Sequence, residues 1–124
     1  MPVIEFSNIP EHAKDEFVKC FDLVKISKSE KRFDADKLWL AFPKFAQKKF
    51  VRLDLGDTVE EEWDFMSWVD AISSSAIEYQ SLEFLSEASG KLNFEQLSWP
   101  SGGLEATEEL VKVFGGNVRK NDAI

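Results

Sequence analysis

The chain predicts an α+β domain in which one antiparallel sheet of three to five strands packs against three helices. Short β-branched and aromatic runs alternate with longer stretches of helical spacing. The helical stretches open on cap residues or close on glycine. The third observation is composition: 124 residues with 44% hydrophobic content, 11 Phe and 4 Trp are enough for one core. A chain of this size buries roughly two thirds of the surface it exposes when unfolded, so it requires no disulfide or metal staple. A single domain over residues 1–116 is expected, followed by a flexible tail over 117–124.

The opening VIEF suits a strand. Ile9, Ala13, Phe17, Phe21 and Val24 then recur at helical spacing, which predicts a first helix over about residues 9–25. Asn8 is placed to cap it, Glu11 to complete a capping box, and Pro10 to sit in the first turn, where its missing N–H costs nothing. The polar SKSEKRFDAD follows as a loop. KLWLAF at 37–42 and KFVRLDL at 49–55 carry strand-type residues, the second alternating Val51, Leu53 and Leu55 with Phe50, Arg52 and Asp54. Pro43 ends the first of these, and an antiparallel hairpin is the simplest connection.

After Gly56, Asp57 is placed to cap a second helix over about residues 58–73, with Glu60 at the capping-box position and Ser73-Ser74-Ser75 as its stop. Ile77 to Tyr79 can begin a strand, whereas LEFLSEA fits either a strand or a short helix. KLNFEQLSW reads as a strand with Leu92 and Phe94 in register. Trp99-Pro100-Ser101-Gly102-Gly103 is a turn. A last helix runs through Leu104, Glu108, Val111 and Phe114 until Gly115-Gly116 stops it.

Net charge is −8, and its distribution says more than its total. Residues 57–90 carry Asp57, Glu60, Glu61, Glu62, Asp64, Asp70, Glu78, Glu83 and Glu87 with no Lys or Arg. A one-signed stretch of this kind repels nucleic acid and anionic lipid and attracts a basic surface, or else serves as a solvated face. Within it, the second helix has an apolar sector about 220° wide when laid out at the ideal helical turn, with Phe65, Trp68 and Ile72 forming a second stripe beside Glu61 and Asp64. One sheet cannot cover so wide a sector. Either another helix packs over Phe65 and Trp68, or the two are exposed as an aromatic contact patch ringed by carboxylates.

Catalytic signatures are sparse. Cys20 is the only cysteine and His12 the only histidine. Eight residues apart on one helix, they stand about 12 Å apart along its axis and cannot form a nucleophile–base pair. Cys20 lies among Phe17, Phe21 and Val24 and is expected in the core, and His12 in solvent. No cofactor motif or metal-ligand spacing is present, so no cofactor and no metal are expected. No apolar run approaches the roughly 18 residues of a spanning helix, and MPVIEFSNIPEHAKDE lacks the form of a secretory signal, so a cytoplasmic protein without a membrane contact is expected.

Two stretches, DKLWLAF with FVRLDL and LSWPSGGLEATEEL, resemble a family of short bacterial α+β domains of unknown function found beside toxin–antitoxin-like genes. The first resembles that family's opening hairpin with a terminal Asp-Leu, the second its closing Trp-Pro-Asn-Gly strand and turn. Ser101 stands where the family has Asn, Gly103-Leu104-Glu105 where it tends to have Asp-Leu, and the first helix has no counterpart. The resemblance spans roughly residues 36–114 and implies an interaction domain without known catalysis.

Together these features point to a small acidic protein-binding module of the toxin-neutralising or inhibitor type rather than an enzyme. Its partner would be a basic protein, with Glu61, Asp64, Phe65 and Trp68 in contact and Glu60 and Glu62 as steering charges. Direct nucleic-acid binding is not expected. The alternatives are a homodimeric scaffold protein and a small ligand-binding domain or enzyme with its site near Trp99.

Overall fold

The computed structural model describes residues 3–56, 63–74, 77–96 and 104–121. In chain order the elements are β1 (Val3–Ser7), α1 (Glu11–Glu30), α2 (Ala35–Ala41), α3 (Lys44–Gln47), β2 (Phe50–Val51), a 3₁₀ turn (Leu53–Leu55), β3 (Trp63–Asp64), α4 (Phe65–Ser74), β4 (Ile77–Phe84), β5 (Gly90–Gln96), α5 (Leu104–Val113) and β6 (Asn117–Asn121). The expected α+β architecture is present. Four strands form one sheet in the order β4-β5-β1-β6, every pairing antiparallel, while β2 and β3 form a separate short parallel pair.

Alternation along the strands separates the two faces of the sheet. Ile4, Phe6, Leu92, Phe94, Ile77 and Tyr79 are buried on one face. Glu5, Lys91, Asn93, Glu95, Glu78, Ser81 and Glu83 keep partial or full exposure on the other. The inner face is covered by α1 and α5. Phe17 packs edge-on against Phe6 at 5.4 Å, Phe21 lies 6.0 Å from Tyr79, and the Tyr79 hydroxyl shares a hydrogen bond of 2.5 Å with Thr107 on α5. Gly90, opposite Phe84 in the register, lies so close to the Glu83 carbonyl that a Cβ there would collide with it.

Several local expectations are corrected by tertiary context. Asn8 does not cap α1; it takes a left-handed turn (φ 64) that sends Ile9 into the core, where the Ile9 amide donates to the Ala88 carbonyl at 3.0 Å. Pro10 occupies the N-cap position. The same tolerance of left-handed backbone that suits Asn to caps and turns is spent here on the turn. Helix α1 also runs to Glu30, well past residue 25: Ser27 is buried, the Lys28 ammonium donates to the Ile72 carbonyl of α4 (3.1 Å), and left-handed Lys31 (φ 55) closes the last turn.

The segment 37–42 is helical, so the expected hairpin with 49–55 does not form. Asp34 accepts a hydrogen bond from the Lys37 amide at 3.1 Å and starts α2. Leu38 and Phe42, four residues apart, are buried on one face. Of KFVRLDL only Phe50 and Val51 are extended, and they pair in parallel with Trp63 and Asp64. Phe50, Val51 and Arg52 are consecutive and all buried, which no two-faced strand would show. LEFLSEA proves to be strand as far as Phe84, where Leu82 faces Leu92. Asn117–Asn121, expected as a tail, form edge strand β6 on β1. Helix α5 ends as expected at Gly115, left-handed at φ 92, with the Gly116 amide returning to the Val111 carbonyl at 3.1 Å.

Cys20 lies in the core as expected, its thiol donating to the Ala41 carbonyl at 3.3 Å. Burial, reinforced by the Glu16 charge, pushes it up from 9.0 to about 12. A thiol whose folded pKa is raised contributes stability that is complete below pH 9 and is lost as pH climbs toward 12, at most about 1.4 kcal/mol per pH unit for one proton. Urea denaturation across pH 8 to 11 is expected to show this decline, and Cys20→Ala, though less stable at pH 8, is expected to decline less steeply.

Candidate functional site

The residues singled out in the sequence divide. Glu60, Glu61 and Glu62, like the expected cap Asp57, lie outside the described residues. Asp64 is half-buried and starts α4: its carboxylate accepts from the Ser67 amide at 3.1 Å and the Ser67 hydroxyl at 3.0 Å, which makes it an N-cap. Phe65 and Trp68 are both 0% exposed. The aromatic contact patch expected on this helix is therefore overturned.

The physical reason is helical phase. Trp63 and Asp64 are extended, so α4 begins at Phe65 and these two residues do not share its wheel. Within the helix, Phe65, Trp68, Val69 and Ile72 fall in an arc of only about 100°, an ordinary core stripe. Met66, Ser67 and Asp70 are exposed outside that arc. The stripe is covered by α2, β2 and α5. Trp68 lies 5.6 Å from Phe42, 5.5 Å from Phe50 and 5.8 Å from Phe65, and its indole N–H donates to the Ala106 carbonyl at 2.9 Å.

Two surface features stand out among the described residues. The first is the open face of the sheet, where the acidic segment surfaces. Glu78 and Glu83 project from β4, Glu87 from the turn after it and Glu95 from β5, all exposed. Glu78 stands directly opposite Glu95, while Glu83 stands opposite Lys91 and accepts a hydrogen bond from Asn93 at 2.9 Å. Like charges facing each other across a strand pair are destabilising. Among the described residues, Asp70, Glu78, Glu83, Glu87 and Glu95 make no ion pair. β4 is also an edge strand, with β5 on one side and no strand among the described residues on the other. The alternation Ile77, Glu78, Tyr79 was the sequence signal for this face; the helical alternative for the residues that follow obscured it.

The second feature is a basic recess of about 350 Å³ lined by Trp39, Lys44, Gln47, Lys48, Phe50 and Arg52. Arg52 is 6% exposed, lies 4.8 Å over the Trp39 ring and 5.3 Å from Phe65, and forks onto Asp54 through Nε (2.9 Å) and Nη2 (2.7 Å). Those hydrogen bonds hold the Asp54 carboxyl below its usual range.

His12 is exposed on α1 beside the Phe45 ring (5.5 Å), about 80° around the helix and two turns before buried Cys20. Among the described residues no cluster of His, Cys, Asp and Glu is arranged to hold a metal ion, and no helix is long and apolar enough to cross a membrane. Comparison of the chain with protein-family models, with curated proteins and with solved structures returns no match in any of the three.

Trp68→Ala is expected to cost about 3–5 kcal/mol through loss of packing and of the bond to Ala106, read from the urea midpoint. Asp64→Ala is expected to cost about 1 kcal/mol through loss of the cap.

Proposed function

We propose that the chain is a small acidic protein-binding module, neutralising or inhibitor-like and acting in the cytoplasm, that meets a basic protein surface through the open face of β4 and β5. The contact residues are Glu78, Glu83 and Glu95, with Asp70 and Glu87 steering approach. The observation that carries this reading is the pair Glu78 and Glu95, facing each other exposed and without an ion-pair partner among the described residues. The arrangement costs stability in the isolated chain, and a Lys or Arg of a partner placed between the two carboxylates relieves it. The same charges oppose contact with nucleic acid.

Charge reversal tests the reading because binding and stability are expected to move in opposite directions. Glu78→Lys restores an attractive cross-strand pair and is expected to raise the unfolding free energy by a few tenths of a kcal/mol. The same change is expected to weaken association with a basic partner recovered from cell extract, and to flatten the fall of its association rate with salt. Unchanged partner affinity in Glu78→Lys and in Glu95→Lys overturns the reading.

A further inference from the structure

We propose that the basic recess between α2, α3 and β2 is a second binding site, one that takes a short acidic peptide segment of a partner protein. It lies on different elements from the acidic sheet face, carries the opposite charge and does not depend on the function proposed above.

The first support is charge segregation. Residues 37–52 contain Lys37, Lys44, Lys48, Lys49 and Arg52 and no Asp or Glu, in a chain whose net charge is −8. Lys44 and Lys48 line the recess and are exposed, and among the described residues neither side chain has a hydrogen-bond or ion-pair partner. They are linked through one turn, the Lys48 amide donating to the Lys44 carbonyl at 3.1 Å. Like charges at that spacing repel, and an anion placed between them removes the cost.

The second support is the apolar lining. Trp39 is half-buried beneath the Arg52 guanidinium, and Phe50 closes the recess beside it. Leu40, next to Trp39 on α2, is 80% exposed, and Leu55, at the end of the turn that follows Arg52, is 70% exposed. An aromatic lining beside exposed lysines suits a ligand that carries carboxylates and apolar side chains together.

The third support is the group Arg52 already holds. Asp54 occupies its fork as a two-pronged carboxylate while remaining partly exposed, so the site accepts carboxylates, and Asp54 competes with an incoming one. A long polyanion fits less well, since Asp36 and Asp64 already carry negative charge near Arg52.

The experiment measures fluorescence anisotropy of a labelled Glu/Leu peptide titrated with the full chain at low and rising salt. Binding that weakens with salt is expected. Lys44→Glu with Lys48→Glu is expected to weaken it roughly tenfold or more, and Asp54→Asn to tighten it severalfold. Lys44→Gln with Lys48→Gln serves as the milder pair if charge reversal disturbs the fold. Glu78→Lys is expected to leave peptide affinity within twofold, which separates this site from the acidic face. Peptide affinity unchanged in both lysine pairs overturns the proposal. So does displacement of the peptide by inorganic phosphate or by a single-stranded oligonucleotide as readily as by unlabelled peptide.

Discussion

The packing around Phe42 is the contact on which the rest of the structure depends. Its ring lies between 5.6 and 5.9 Å from the rings of Phe50, Phe65, Trp68 and Phe114, which belong to β2, α4 and the end of α5. Phe114 in turn meets Phe17 at 5.3 Å, and Phe17 meets Phe6 on the sheet. One side chain thus connects the helical half of the core to the sheet. Phe42 occupies that position because α2 is a helix that ends there, with Pro43 following immediately. A strand over the same residues would direct Leu38 and Phe42 to the same face as Leu40, and Leu40 is in solvent.

Closing the core in this way leaves the surface to charge. Helices α1 and α5 take the inner face of the sheet, so the outer face carries only polar and half-covered side chains. Net repulsion within an acidic chain favours spreading its carboxylates over that face, yet the register of β4 and β5 brings Glu78 and Glu95 together. Strand register follows the burial of Ile77, Tyr79, Leu92 and Phe94, worth far more than one exposed like-charge contact costs. The cations of residues 37–52 collect on α2, α3 and the segment after them, leaving the molecule with two surfaces of opposite sign built from separate parts of the chain.

Legibility in the sequence followed the range of the forces involved. The inward side chains of α1, the Leu92–Phe94 register and the glycine stop of α5 depend on neighbours within a turn or a strand pair, and local spacing was sufficient to find them. The candidate site was less legible. Trp68 and Phe65 drew attention as an aromatic stripe among acids, but their burial depends on Phe42, Phe50 and Ala106, all distant in sequence. The cap at Asp34 and the spacing of Leu38 and Phe42 were local signals for α2, outweighed by the strand-type composition of KLWLAF.

Composition and local periodicity by themselves determined the α+β class, the buried thiol of Cys20, the inward-facing residues of the first helix and the last helix's end. These are properties of hydrophobic spacing and of backbone chemistry that act over a few residues. Tertiary structure alone decided that 117–121 is a strand, that α4 starts after Asp64 and hides its aromatics, and which carboxylates come face to face. Each of those outcomes needs a partner far along the chain: β1 for the last strand, Phe50 and Val51 for Trp63 and Asp64, α5 for Trp68, and β5 for Glu78. A single sequence carries each partner's residue types but not the pairing between them, because that choice is made by the burial of the whole core at once.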